Sequence, residues 1–245
     1  MKVIILAAGR GSRMGSGTED IPKCLIKLWG RTLLDMCLDS IEKAGINKSD
    51  IGIVTGYKKD SIKVDGVTYF QNNDWDKTNM FISLTKAEKW LKNETCIVCY
   101  SDIVFHPSVI KELIKCQKEI AITYYSDFLE LWKKRFADPL SDLETFKIDD
   151  DNKIVEIGEK PGCVEEVQGQ YMGILRFEPA GWKKIESAVK LPMKKAIDKL
   201  DMTTLLNHLV SIGAEVYAVE TSELWLECDN MDDVKLYEQE YAIVG

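Results

Sequence analysis

Polar and apolar positions along the chain fall into short blocks that switch between a period of two and a period of 3.6. Residues 2–8 are apolar after the first and stop at Gly9-Arg10-Gly11, which predicts a central parallel strand running into a loop. From Thr32 the apolar positions Leu33, Leu34, Cys37, Leu38, Ile41 and Ala44 follow the helical period and end at Gly45, so a helix closes there. Strands are expected at 51–55, 67–70 and 96–100, with one helix over 80–91, and then a short helix to Cys116 and a strand at 120–125. In the second half, 143–148 and 154–157 flank Asp149-Asp150-Asp151-Asn152 and read as a hairpin. A strand at 171–177, helices from Pro179 and over 203–212, strands at 215–219 and 225–228, and a final helix from Asn230 complete the pattern.

Such alternation predicts an α/β fold. No repeat or low-complexity linker divides the chain, so residues 1–245 are expected to form one domain, with halves 1–117 and 118–245 sharing one sheet. The three aspartates of the hairpin read as a solvated tip rather than a metal site.

Lys+Arg 32 against Asp+Glu 40 gives a formal charge of −8, which argues against DNA or RNA as a partner, since phosphate neutralisation needs a basic surplus. The 45% hydrophobic content, with 6 Pro and 16 Gly, is that of a globular chain. Seven cysteines, mostly single and in apolar contexts, suit a reducing, cytoplasmic setting, and no stretch approaches the ~20 apolar residues of a membrane span. Cys96 and Cys99 lie three apart in a strand, on opposite faces, which disfavours a redox or zinc role. His106 and His208 are read as structural.

The glycines at 9, 11 and 15 let backbone N–H groups approach an anion, which is chemistry for a phosphate. Their spacing gives neither G-x-G-x-x-G nor a P-loop. What the stretch does resemble is the nucleotidyltransferase pattern L-A-A-G-x-G-x-R-M followed by P-K, matched at Leu6, Ala7, Ala8, Gly9, Gly11, Arg13, Met14, Pro22 and Lys23. That resemblance implies a three-layer, Rossmann-like sandwich with a mostly parallel mixed sheet. It also implies that the Ala8–Gly11 backbone cradles a triphosphate while Arg13 and Lys23 neutralise the leaving pyrophosphate.

Asp102 follows the strand at 96–100, where α/β sheets place their ligands, and Asp229 closes a W-x-E-x-D stretch, Trp225 to Asp229, before a helix. Taken alone, Asp229 could be a helix cap and Asp102 a strand end. The family carries an aspartate after its central strand and its cytidylyltransferases a second one after W-x-E-x-D, so the resemblance implies that Asp102 and Asp229 hold Mg²⁺, with Arg13 and Lys23 completing the catalytic set. The amide-rich segment from Gln71 to Leu84 resembles that of cytidylyltransferases for phosphocholine and 2-aminoethylphosphonate, which implies CTP, and the chain as a whole resembles the cytidylyltransferases for phosphocholine, 2-aminoethylphosphonate or phosphoglutamine. The nucleotide side then comprises Leu6, Ala7, Ala8, Gly9, Arg10, Gly11 and Ser12, with Gln71, Asn72, Asn79, Ser83 and Ser101.

Glu159-Lys160-Pro161 resembles the family's E-K-P and Tyr171-Met172-Gly173 its acceptor-side strand, so Glu159, Lys160, Tyr171, Gly173, Trp225 and Glu227 are expected on the acceptor. The sequence shows no cluster of aromatic residues for a quaternary ammonium. Transfer from CTP to a phosphorylated small metabolite is the implied reaction, in the service of cell-surface polysaccharide decoration. A sugar-1-phosphate enzyme using UTP or dTTP is the alternative, and a homodimer stays open. Asp74-Trp75-Asp76 spells the D-x-D of glycosyltransferases, but within an early turn, and is read as coincidence.

Overall fold

A computed structural model describes residues 1–241. Seven strands form the central sheet: β1 (Lys2–Ala7), β2 (Ile51–Thr55), β3 (Thr68–Gln71), β4 (Cys96–Tyr100), β5 (Ile120–Tyr125), β6 (Gln170–Phe177) and β7 (Tyr217–Thr221), in the order β7-β5-β6-β4-β1-β2-β3. All neighbours run parallel except β6, which is antiparallel to both β4 and β5. Strand β6 from the second half pairs with β4 from the first, so strands of both stretches lie in one sheet. Chain order reverses between β1 and β4, with Leu6 opposite both Val54 and Tyr100, and α/β sheets bind ligands outside the carboxyl ends of strands at such a point.

Eight helices are described: α1 (Leu33–Lys43), α2 (Met80–Thr85), α3 (Glu88–Asn93), α4 (Pro107–Lys115), α5 (Phe128–Arg135), α6 (Pro179–Ala188), α7 (Met202–Ser211) and α8 (Met231–Glu240). Because strand side chains alternate faces, the sheet divides the interior in two. Val3, Ile5, Ile53 and Cys99 pack with α1, α4 and α5, whereas Ile4, Leu6, Val54 and Val98 pack with α2, α3, α6 and α7. The result is a three-layer sandwich. No helix among the described residues is long and apolar enough to cross a membrane.

Several elements differ from the pattern read above. The single helix expected over 80–91 is two short ones, because the chain turns at Ala87 (φ −96°, ψ 18°), whose fully buried methyl lets both pieces lie on the sheet. Helix α5 was not expected, and neither was the strand Ile103–Phe105, which pairs antiparallel with Trp225–Glu227 and lays Asp102 beside Asp229. At the hairpin tip Asp149 Oδ1 accepts backbone N–H bonds from Asp151 (3.0 Å) and Lys153 (2.9 Å), so it closes the turn. The histidines cap and tie: His106 accepts from the Ser108 amide at the start of α4, and His208 Nε2 donates to the Ala188 carbonyl.

Cys96 and Cys99 lie in opposite cores. Burial pushes the Cys24 and Cys96 thiols up to about 12 and raises Cys37, Cys99 and Cys228 as well, so none is an active nucleophile. Titration of the native protein with a thiol reagent is expected to modify Cys163 fast, half-buried Cys116 more slowly, and the other five only on unfolding. Rapid modification of Cys96 or Cys99 would contradict this.

Candidate active site

The β1 loop owes its path to one glycine. Gly11 has φ +75°, and a Cβ there would lie 2.6 Å from the Lys23 Cβ, so only glycine lets the loop rest on the lysine side chain. Beyond it the turn Ser12–Thr18 is anchored by buried Met14 and by Thr18 Oγ1 donating to the Gly11 carbonyl (3.0 Å). Arg13 stands out of this turn, two-thirds exposed, and its Nη2 is 2.7 Å from Asp229 Oδ1. Lys23, in a turn that starts at Pro22, is buried instead.

The Lys23 ammonium lies 2.5 Å from Asp102 Oδ2 and 3.1 Å from Asp229 Oδ1. Burial alone pulls its pKa down, but the charges of Asp102 and Asp229 outweigh that and hold it above the ordinary lysine value. For Asp229 burial acts upward, and Lys23, Arg13 and Arg135 reverse it to a net lowering. Glu227 goes the other way: burial, then the charges of Asp229 and Asp102, push its carboxyl up. One oxygen from each of Asp102, Glu227 and Asp229 lies within 4.8 Å of the others. Asp102 Oδ1 is buried and has no hydrogen-bond partner. Asp229 is not the cap of α8; Asn230 is, accepting from the Asp232 and Asp233 amides.

Two cavities meet at Asp102, sharing Arg13, Met80 and Tyr100 with it in their walls. The smaller, about 250 Å³, lies between the β1 loop and α2. Of the residues expected on the nucleotide, Leu6, Ala8, Gly9, Gly11, Ser12, Asn79, Ser83 and Ser101 line it, with Lys23. Ala7, Arg10, Gln71 and Asn72 do not. Asn72 is fully buried: its Nδ2 donates to Thr78 Oγ1 and Ser83 Oγ (both 3.0 Å) and its Oδ1 accepts from the Asp74 amide, so it braces the segment from beneath. Gln71 accepts from Lys59 at the surface, and Arg10 faces the Tyr57 ring. Trp75, unforeseen, enters the wall because Gly56 has no side chain to block it; a Cβ on Gly56 would lie 2.6 Å from the Trp75 Cβ. Asp74 and Asp76, the D-x-D pair, lie outside both cavities.

The larger cavity, about 370 Å³, is lined by Tyr171, Gly173, Trp225 and Glu227 as expected, but not by Glu159 or Lys160. Glu159 pairs with Lys194 and Asn207, and Lys160 donates to the Leu140 carbonyl. The expectation that no aromatic cluster exists is corrected: Tyr100, Trp132, Phe146, Tyr171 and Trp225, from five separate segments, line this one cavity. Trp132 and Trp225 are stacked with centroids 6.0 Å apart. Asp142, Glu144 and Asp201 add carboxylates and Lys195 a cation.

Sheet order, glycine loop and carboxylate trio together define a nucleotide-handling α/β site of the nucleotidyltransferase type. The comparisons agree on the fold. The chain resembles a putative glucose-1-phosphate thymidylyltransferase from Bacillus anthracis in complex with a sucrose (TM-score 0.74, 20% identity, 100% of this chain and 98% of that one). It also resembles the CTP:phosphocholine cytidylyltransferase of Streptococcus pneumoniae (TM-score 0.71, 21%, 97% of each) and the inositol-1-phosphate CTP transferase of T. maritima (TM-score 0.73, 21%, 98% and 96%). In sequence it is 32% identical over 252 aligned positions to the CTP:phosphoglutamine cytidylyltransferase of Campylobacter jejuni subsp. jejuni serotype O:2 (strain ATCC 700819 / NCTC 11168), covering 96% of this chain and 98% of that protein. Residues 3–153 match the MobA-like NTP transferase domain, and the chain belongs to that family.

Proposed function

We propose that this protein transfers the cytidylyl group of CTP to a phosphorylated small metabolite and releases pyrophosphate. The observation that carries the reading is the meeting of two cavities at Asp102, one walled by the glycine loop and Lys23, the other by aromatic rings and carboxylates. The 32% identical cytidylyltransferase supports the choice of CTP. The first half of the chain then holds the nucleotide and most of the second the acceptor.

Backbone N–H groups of the β1 loop face the triphosphate, and Trp75 offers a ring on which a base can stack. Asn79, Ser83 and Ser101 supply polar groups beside it. An acceptor phosphate oxygen attacks the α-phosphorus in line, a P–O bond forms to it, and the bond to pyrophosphate breaks; that oxygen is already ionised, so no general base is needed. Arg13 and Lys23 offset the charge that gathers on the leaving group, since catalysis of such transfers is mostly positioning and electrostatics. Carboxylates of Asp102, Glu227 and Asp229 within reach of one another, with Asp102 Oδ1 buried and unpartnered, suit a hard cation such as Mg²⁺, which Asp102 and Asp229 would hold. Bound there, the ion would neutralise phosphate charge.

Aromatic faces with Asp142, Glu144 and Asp201 suit an acceptor bearing an ammonium, such as phosphoglutamine, phosphocholine or 2-aminoethylphosphonate. The reading has the reaction run in the cytoplasm and its product serve as an activated group for a surface polysaccharide. Pyrophosphate release measured with CTP, UTP, dTTP, ATP and GTP against these acceptors and a sugar 1-phosphate tests it. CTP with an ammonium-bearing acceptor is expected to be fastest; faster turnover with UTP or dTTP and the sugar phosphate would overturn the choice of base and acceptor.

A further inference from the structure

Arg135, the last residue of α5, belongs to none of the motifs above, yet its side chain is wholly buried behind the carboxylates. Its Nε donates to Asp233 Oδ1 (3.0 Å) and its Nη2 to both Asp233 Oδ2 (3.1 Å) and Asp229 Oδ2 (3.3 Å). Nη1, 3.8 Å from Glu227 Oε2, has no hydrogen-bond partner. Trp132 and Phe136 cover the guanidinium, with ring centroids at 5.3 and 5.1 Å. Asp233 in turn accepts the backbone N–H of Asp229 (2.8 Å) and of Asn230 (3.2 Å). The arginine fork and the main chain of Asp229 therefore close on one carboxylate.

We propose that Arg135 is a positioning residue for Asp229. It ties down Oδ2 and, through Asp233, the backbone behind it, so that Oδ1 alone is presented to the cleft where Lys23 and Arg13 reach it. A guanidinium can do this because it donates in a fixed planar fork; a lysine in its place supplies the charge without the fork. Groups that orient a metal-binding carboxylate typically govern cation affinity by about 10–100-fold. The inference rests on the reading of Asp229 as a cation ligand.

The test is binding of Mn²⁺, followed by the spin-resonance signal of the free ion, in wild type, Arg135→Lys and Arg135→Gln, together with CTP affinity in EDTA. Both variants are expected to bind Mn²⁺ about 10–100-fold more weakly while CTP affinity without metal is unchanged. Equal Mn²⁺ affinity in a folded variant overturns the proposal, as does a parallel loss of metal-free CTP binding, which would mark Arg135 as purely structural. Should both arginine variants fail to fold, Asp233→Asn, which keeps the shape and removes the charge under the fork, is expected to weaken Mn²⁺ in the same direction, and an unchanged affinity overturns the proposal equally. A wild type that binds no Mn²⁺ sinks the metal reading itself, a result distinct from a failure at Arg135.

Discussion

Asp102→Asn is expected to lower turnover about 10²–10³-fold while the protein stays folded. The substitution keeps the shape of a side chain whose Oδ2 lies against the Lys23 ammonium and whose Oδ1 is buried without a partner. What it removes is the charge that makes the pair of aspartates attractive to a divalent cation and that holds Lys23 in register. An unpartnered buried oxygen is costly to keep, and on the proposed reading a bound cation would satisfy it. Circular dichroism checks the fold and pyrophosphate release the rate. Near-normal turnover from a folded Asp102→Asn protein would remove Asp102 from the mechanism.

Lys23→Met is expected to act on stability as well as rate. Its ammonium is the nearest cation to Asp102 and one of three on Asp229, so its loss leaves Asp102 with no side-chain cation in contact among the described residues; breaking a buried pair from one side typically costs about 3–5 kcal/mol. Urea unfolding without divalent ions should show that loss, and millimolar Mg²⁺ should recover much of it, because the ion can replace the missing charge between the aspartates. Turnover should fall by about 10²-fold or more and should not recover with Mg²⁺, since the cation facing the leaving pyrophosphate is gone. Unchanged stability in the absence of Mg²⁺ would contradict the electrostatic account of Lys23.

Much of this was legible in the sequence because buried strands leave long apolar runs and because a glycine loop has few alternatives. The run before Gly9, the helix over Leu33–Lys43 and the assembly of Lys23 with Asp102 and Asp229 needed only local pattern and a motif. Asn72 misled because an amide serves equally well as a base reader and as a buried brace, and only burial distinguishes the two. The break at Ala87 was hidden because its apolar residue keeps the helical period through the turn. Helix α5 is two turns long and ends in Lys133-Lys134-Arg135, which reads as a solvated tail, although Arg135 is buried. The aromatic wall is gathered from five separate segments, an arrangement that sheet order creates and spacing does not announce.

The most direct test of the account is the product itself. With CTP and Mg²⁺ in the presence of phosphoglutamine, phosphocholine or 2-aminoethylphosphonate, mass spectrometry should find a cytidylylated acceptor formed one for one with pyrophosphate for at least one of the three. Absence of such a product with all three, while a sugar 1-phosphate is converted with UTP or dTTP, would contradict it.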